Sequence, residues 1–245
     1  MKDYGKEEVL VIPAEKIPPW EGIKIASQEI LELLRGNSFS ILRNKAEGNP
    51  DLKQIIPYCT LIHTDKKGVR RLFYAKRKSG ADRELSGKWT IGLGGHINLK
   101  DRRALYQRLW KKKIGIPGLS IKNSFDVALL NCVKRELDEE VEMNWNDVIE
   151  IKYCTFLFTS SDYVSKDHLG ISLTIRLKNR NVKIRKGELA DGAFFTEEEF
   201  LIYTGYHDFI HFLHTPEGME MERRSRKIIA LCMASFMAGP PKNKS

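Results

Sequence analysis

The chain has 245 residues, a formal net charge of +9 at pH 7, and 42% hydrophobic and 30% charged side chains. These values are typical of a soluble globular protein with one large domain, or with one domain and an extension. No apolar run approaches the roughly 18 residues needed to cross a bilayer, which excludes a membrane-spanning helix. The excess of basic charge predicts an anionic partner without naming one.

Cysteine usage and the charged first residues indicate a reducing compartment. The four cysteines lie far apart without C-x-x-C spacing, which argues against structural zinc. Each cysteine has apolar neighbours, so we expect it to fill space in the core. The first eight residues are mostly polar and lack the apolar segment of a signal peptide. We therefore expect a cytoplasmic protein.

The first third of the chain alternates short elements with turns. Its predicted elements are, in chain order, a strand at 8–12, a helix at 22–34, and strands at 39–42, 58–63 and 70–77. Gly36-Asn37 is a sequence typical of a helix end, and it closes the predicted helix. Lys66-Lys67-Gly68 forms a turn that joins the last two strands as an antiparallel pair.

The rest of the chain predicts longer elements. These are a strand at 89–93, a helix at about 125–143, strands at 149–158, 168–177 and 194–195, a short helix at 197–199, and a last helix at about 217–238. We predict that Ser124 caps the first of these helices and that Thr196 caps the second. The final residues, 239–245, are rich in proline and lysine and predict a disordered tail.

This order of strands and helices predicts an α+β fold built in layers. We expect an N-terminal extension at 1–55, with a strand and a helix, that packs on a main domain at 56–238. The main domain contains a basic insertion at 98–123, which holds eight basic side chains and one acid, Asp101.

The long predicted helix carries three carboxylates on one side. Glu136, Glu139 and Glu140 are spaced i, i+3 and i+4, so their side chains converge within a sector of roughly 100°. Like charges at this spacing repel, and a hard divalent cation such as Mg²⁺ or Mn²⁺ would hold them together. The alternative is a solvated acidic face. An apolar stripe that includes Val133 and Leu137 runs beside the acids and places them at the edge of the core.

A glycine-rich turn precedes this helix in the sequence. Residues 89–96 read as a strand that runs into Gly94-Gly95. Paired glycines let a backbone pass close to a metal ion or a phosphate group. Glycines alone are a weak signal, but glycines that precede an acidic helix are a stronger indication of a site.

Together these residues resemble the signature of the Nudix hydrolases, G-x5-E-x7-R-E-U-x-E-E-x-G-U, in which U is apolar. Arg135-Glu136-Leu137 and Glu139-Glu140 follow the second half of that signature. Two positions depart from it. Counted back from Arg135, the first signature glutamate falls on Val127, next to Asp126, which is a candidate substitute. Glu142 stands where the signature has glycine.

Further segments are similar to a bacterial and archaeal Nudix branch of predicted phosphoesterases with a long insertion inside the signature. These segments are residues 53–58, 91–98 and 168–171. The resemblance implies a Nudix α/β/α sandwich with a mixed β-sheet. It also implies metal-dependent hydrolysis of a pyrophosphate bond in a substrate linked to a nucleoside diphosphate, with Mg²⁺ or Mn²⁺ as the cofactor.

The resemblance also implies roles for individual residues. Glu139 and Glu140 would be metal ligands, and Glu136 a ligand or the base that activates water. The carbonyl of Gly95 would complete the coordination sphere, and Arg135 would orient the glutamates. Asp126 would replace the first signature glutamate if the match to the signature shifted by one residue. Its side chain would then have to face the site, although it lies about 100° around the helix from position 127.

Basic side chains near the glycine turn are candidates for binding the substrate. We expect His96, Arg102, Arg103 and Lys111 to contact phosphate groups. The alternatives are a structural role for His96 and a solvated surface helix for the insertion. The same insertion leaves nucleic acid as a candidate partner, and a homodimer is also open. The alternative function is a nucleotide-binding or nucleic-acid-binding module on a Nudix scaffold with weak or no catalysis, favoured by Val127 and by the basic insertion.

Overall fold

The computed structural model describes residues 5–19, 22–78, 87, 89–102, 121, 123–158, 166–185, 187–196 and 198–200. Several predicted features lie outside the described residues. They are most of the basic insertion (103–120 and 122) with Arg103 and Lys111, the last helix at 217–238, the tail at 239–245, and Cys232. Within the described residues, no helix combines the length and the apolar character needed to cross a bilayer.

The described residues form eleven strands and three α-helices. The strands are β1 (Glu8–Pro13), β2 (Gly22–Ile25), β3 (Phe39–Leu42), β4 (Leu52–Thr64), β5 (Arg70–Arg77), β6 (Trp89–Thr90), β7 (Val141–Met143), β8 (Val148–Phe158), β9 (His168–Leu177), β10 (Val182–Ile184) and β11 (Leu189–Phe195). The helices are α1 (Gln28–Asn37), α2 (Arg43–Ala46) and α3 (Ser124–Glu140). The predicted α+β class is confirmed.

Strand β4 organises a mixed sheet with the order β11-β5-β4-β9-β8-β2, while β7 and β10 form a separate antiparallel pair. One edge of β4 pairs in parallel with β9 from Gln54 to His63. The other edge pairs with β1 near residues 52–54 and with β5 near residues 62–64. A gap therefore remains in the middle of this second edge.

The glycine-rich segment after β6 fills that gap. Cys59 and Leu93 exchange two backbone hydrogen bonds, with N–O distances of 2.7 and 3.0 Å. Farther along, the amide of Leu10 donates to the carbonyl of Ile97 at 2.8 Å, which ties the segment to β1. The glycine turn is therefore held at the centre of the sheet.

Helix α3 covers this central part of the sheet and shares the main hydrophobic core with it. Ile55, Cys59 and Leu61 of β4 alternate toward the core, and Leu129, Val133 and Leu137 of α3 belong to the same buried cluster. Cys59 and Cys132 are buried free thiols, so the prediction that they fill the core is confirmed for these two. Burial raises the pKa of both thiols well above the usual value.

Helix α3 begins and ends at different residues from those predicted. Asn123, rather than Ser124, is the N-cap, because its side chain accepts from the amide of Phe125 at 3.0 Å and forms a capping box with Asp126. The helix ends at Glu140 and does not continue to Met143. Val141–Met143 instead pairs with β10, which supplies hydrogen-bond partners that a local sequence pattern does not reveal.

The predicted helix at 22–34 is wrong in its first half. Gly22–Ile25 is strand β2, which pairs with β8, and the helix starts after the N-cap Ser27. The other strands are confirmed: β3, β5 and β9 keep their predicted bounds, β4 begins at Leu52, and the predicted strand at 89–93 is reduced to Trp89–Thr90. The predicted boundary between the N-terminal extension and the main domain, at residue 55, stays a prediction. Strand β4 spans this boundary.

A buried ion pair joins α1 to the first turn of α3. Arg35 Nη2 lies 2.9 Å from Asp126 Oδ1, and the two side chains are 3% and 0% exposed. The hydroxyl of Tyr153 donates to the same carboxylate at 3.3 Å. Burial alone would lower the pKa of Arg35, but the hydrogen bonds and charge of Asp126 outweigh it, and the pKa is raised. Arg35 therefore stays charged inside the protein.

We expect Arg35→Met to lower the free energy of unfolding by about 3–5 kcal/mol, because it leaves Asp126 buried without a counter-charge. Urea unfolding measures this difference. The control is Arg77→Met, which removes a pair with Glu188, whose side chain is 67% exposed, and should cost no more than about 1 kcal/mol. Equal losses in the two variants would contradict the structural role of the Arg35–Asp126 pair.

Candidate functional site

The glycine turn contacts two parts of the protein at once. A Cβ atom placed on Gly95 would lie less than 3.0 Å from the carboxylate atoms of Glu136. A Cβ atom on Gly94 would lie inside contact distance of the carbonyl oxygen of Pro57 in β4. No side chain fits at either position without displacement. The backbone of the turn is therefore wedged between β4 and α3, in direct contact with Glu136.

Arg135 connects the glycine turn to the acidic end of α3. Its Nη1 donates to Glu136 Oε1 at 2.6 Å, and its Nη2 donates to the carbonyl of His96 at 2.9 Å. The guanidinium also binds Asp101 through two bonds of 3.1 and 3.0 Å. Burial alone would lower the pKa of Arg135, but its hydrogen bonds to Asp101 and the charge of Glu136 outweigh it, so the pKa is raised.

Asp101 is the buried partner of this arginine. Its residue is only 4% exposed, and its Oδ2 accepts from the amide of Asn98 at 2.9 Å. Its own backbone carbonyl accepts from Asn131 Nδ2 at 2.7 Å. Asp101 is thus fixed from both its backbone and its side chain, and it holds the guanidinium of Arg135 in a bidentate geometry.

The three glutamates differ in their surroundings. Glu136 has a side chain 15% exposed, Glu140 is a buried residue, and Glu139 has a side chain 60% exposed with Oε1 3.6 Å from Arg135. Burial raises the pKa of Glu136, although Arg135 partly offsets the effect. The set therefore combines a partly buried carboxylate held closely by Arg135 with an exposed one that Arg135 contacts at a longer distance.

These donors suit a hard divalent cation in kind. Carboxylate oxygens and a backbone carbonyl are the ligands that Mg²⁺ and Mn²⁺ prefer. Desolvation of Glu136 disfavours its charge, and a cation at this place would relieve that cost. Among the described residues, no three acidic, histidine or cysteine side chains are close enough to hold a metal ion. Binding would require the exposed Glu139 to turn inward.

The ring of His96 contacts another histidine. Its centroid lies 5.4 Å from that of His168 in an edge-to-face arrangement, and its Nε2 is buried without a hydrogen-bond partner in the described part of the chain. Burial lowers the pKa of His96 well below its usual value, and the charges of Arg43, His168 and Arg135 add to this effect. The contact between His96 and Arg135 is made by the backbone carbonyl of His96.

The basic insertion is described only at its ends. Arg102 Nη1 donates to the hydroxyl of Ser40 at 2.9 Å, which ties the start of the insertion to β3. Arg103 and Lys111 lie outside the described residues. Contact of the insertion with phosphate groups therefore stays a prediction.

Asp101 is the residue that the sequence analysis missed. Counted forward from Gly95, five residues separate the glycine from Asp101, which is the spacing of the first glutamate in the Nudix signature. Counting back from Arg135 gave Val127, which the structure buries in the core. Asp126 pairs with Arg35, roughly 15 Å along the helix from Glu136, so it does not replace the signature glutamate. Most of the insertion follows Asp101 and displaced the backward count.

Glu142 stands where the signature has glycine, and the structure explains why no glycine is needed. The residue lies in β7 and pairs with Lys183 of β10. The chain passes directly from α3 into a strand, with Val141 at φ −135° and ψ 153°. A left-handed residue is therefore not required after the helix.

Comparison with known proteins identifies the fold. No family model matches the chain. Protein YmaB of Bacillus subtilis (strain 168) is 26% identical over 172 residues, which cover 70% of this chain and 72% of YmaB. The crystal structure of Tm1382, provisionally named a Nudix hydrolase, superposes with a TM-score of 0.65 and 22% identity, over 94% of this chain and 100% of Tm1382. The chain therefore has the Nudix fold.

The two glycines of the turn should respond differently to substitution. Gly94→Ala would press its methyl group against backbone, and we expect it to lower the free energy of unfolding by about 1–3 kcal/mol. Gly95→Ala meets only the end of the Glu136 side chain, which yields more easily than backbone, so it should cost less. Urea unfolding of both variants compares them. A larger loss for Gly95→Ala would contradict this geometry.

The buried ring of His96 predicts a pH-dependent stability. The unfolded chain takes up a proton on this imidazole near pH 6.5, whereas the folded protein excludes it. The free energy of unfolding should therefore fall as the pH drops below about 6.5, by up to about 1.4 kcal/mol per pH unit. We expect His96→Gln to flatten this dependence in urea unfolding measured between pH 5 and 8.

Measurements at pH 8 provide the control for this variant. There the imidazole is neutral in the folded and the unfolded protein, so any difference reports only the lost packing of the ring. Parallel stability curves for the variant and the original protein over the whole range would show that His96 does not cause the pH dependence.

Proposed function

We propose that this protein is a metal-dependent hydrolase that cleaves a phosphoanhydride bond in a substrate linked to a nucleoside diphosphate. One observation carries the proposal. The Glu136 carboxylate is packed against Gly95 and held by Arg135, which is held in turn by the buried Asp101. This arrangement joins both halves of the Nudix signature in space, across the insertion that separates them in sequence.

The proposed metal ligands are the acidic side chains at the end of α3 and one backbone carbonyl. They are Glu136, Glu139, Glu140 and the carbonyl of Gly95, with Mg²⁺ or Mn²⁺ as the ion. When bound, the ion would neutralise the oxygens of a diphosphate and lower the pKa of a coordinated water. The chain itself contributes oxygen donors that are partly removed from solvent.

Arg135 and Asp101 act as positioning residues in this proposal. The bidentate contact with Asp101 fixes the plane of the guanidinium, so the bond from Arg135 restrains Glu136. A fixed carboxylate loses little freedom when it binds a cation or directs a water molecule. Glu136 therefore serves as either a ligand or a base, and its restraint suits both roles.

The anionic substrate would meet the basic side chains near the glycine turn. Arg102 lies in the described first part of the insertion, one residue after Asp101, so it is the described candidate for a phosphate contact. We also propose that Arg103 and Lys111, which lie outside the described residues, contact phosphate groups. The nucleic-acid partner and the homodimer also stay predictions. Buried free thiols at Cys59 and Cys132 support a reducing compartment, and we propose the cytoplasm.

Asp101 weakens the case for a binding module without catalysis. That alternative depended on Val127 at the position of the first signature glutamate. With Asp101 in contact with Arg135, the acidic position is filled, by a side chain one methylene shorter than glutamate. The remaining support for a binding module is the basic charge of the insertion.

We expect Glu139→Gln and Glu140→Gln each to reduce metal-dependent turnover at least about 100-fold, because loss of residues that only support metal ligands already costs about 10–100-fold. The assay measures phosphate or nucleoside monophosphate released from a panel of nucleoside diphosphate derivatives, with Mg²⁺, Mn²⁺ or EDTA. The matched control is Glu142→Gln, an exposed carboxylate in β7, which should retain full activity.

Two outcomes would contradict the proposal. The first is turnover that persists in EDTA or in both glutamine variants. The second is no turnover across the panel, together with metal-independent nucleotide or RNA binding that survives both substitutions. The second outcome would favour the binding module.

A further inference from the structure

A concave surface lies at the end of the sheet, away from the acidic side chains Glu136, Glu139 and Glu140. We call it the end groove, and its volume is about 690 Å³. It is lined by residues 63–66 at the end of β4, residues 178–182 after β9, and residues 192–194 of β11. The glycine turn contacts β4 at Cys59, and the groove begins at His63, roughly 13 Å farther along the strand.

Three cations line the end groove. They are Lys66, Lys178 and Arg180, all exposed. In the described part of the chain, none of the three forms an ion pair within 4 Å. Lys178 Nζ donates to the carbonyl of Asn146 at 3.1 Å, which holds its ammonium group in place and leaves two of its hydrogens for other acceptors.

The single carboxylate in the groove is already engaged. Asp65 Oδ1 accepts from the backbone amides of Lys67 and Val69, both at 2.9 Å, and Oδ2 lies 3.2 Å from Arg71 Nη1. Asp65 therefore has little capacity to neutralise the lysines and the arginine. The described lining residues of the groove therefore carry more positive than negative charge.

A neutral hydrogen-bond donor supplements these charges. Asn179 Oδ1 accepts from the amide of Asn181 at 3.0 Å, which leaves the Asn179 NH₂ group as a donor. Phe194, packed against Phe73 at 5.2 Å between ring centroids, gives the groove a rigid apolar base.

We propose that the end groove binds a phosphorylated small molecule. Phosphate groups are the anions that several cations and amide donors recognise together. The volume lies within the roughly 300–1,000 Å³ of small-molecule sites. A concave site of this size suits a small ligand better than the extended backbone of a nucleic acid, which needs a long basic track. The proposal is independent of the catalytic function proposed above.

The test measures binding of inorganic tripolyphosphate and of ATP to the full chain by titration calorimetry in EDTA. Lys178→Gln/Arg180→Gln removes two groove charges, and we expect it to weaken binding at least about tenfold. The matched control, Lys16→Gln/Lys45→Gln, removes two exposed charges elsewhere and should bind as the original protein does. Tighter binding of ATP than of tripolyphosphate would show that the nucleoside adds contacts.

Further controls separate this groove from the acidic site. Glu139→Gln and Glu140→Gln should leave binding in EDTA unchanged, whatever their effect on turnover. Equal thermal midpoints for the two double variants verify that both are folded. The proposal is overturned if neither probe binds, if the groove variant binds as tightly as the control, or if single-stranded RNA binds in the groove in place of both probes.

Discussion

The close approach of the glycine turn to β4 and α3 is the constraint on which the site depends. Gly94 lies against the carbonyl of Pro57 and Gly95 against the carboxylate of Glu136, so backbone passes where side chains have no room. Strand β4 creates this position, because β9 covers one of its edges while β1 and β5 leave a gap on the other. The turn fills the gap through Leu93 and meets the acidic helix there.

Two arginine–aspartate ion pairs hold α3, one near its N-terminus and one near its C-terminus. Arg35 holds Asp126 in the first turn, and Asp101 holds Arg135 near the last turns. Burying charges is costly, and each pair offsets this cost with several hydrogen bonds rather than with one contact. The first pair orients the helix on α1. The second orients Arg135, which contacts Glu136 beside the glycine turn.

Strands were predictable where side chains alternate clearly. β5 and β9 begin and end at the predicted residues. Helix bounds were less predictable, because Asn123 and Ser124 are both good caps and only the backbone path decides which side chain reaches the free amides. Strand β2 was mistaken for helix, since its pairing with β8 involves residues 130 or more positions away. Pairing over such distances overrides local propensity.

The sequence by itself determined the α+β class, the glycine pair, and the acidic side chains on one helix. Only the tertiary structure decided which acid does what. Asp101 lies 34 residues from Arg135, and Asp126 lies 91 residues from Arg35, yet each aspartate forms its buried pair with that arginine. A carboxylate becomes a cap, an ion-pair partner or a candidate metal ligand according to the groups that face it across space. Spacing along one helix does not encode those groups.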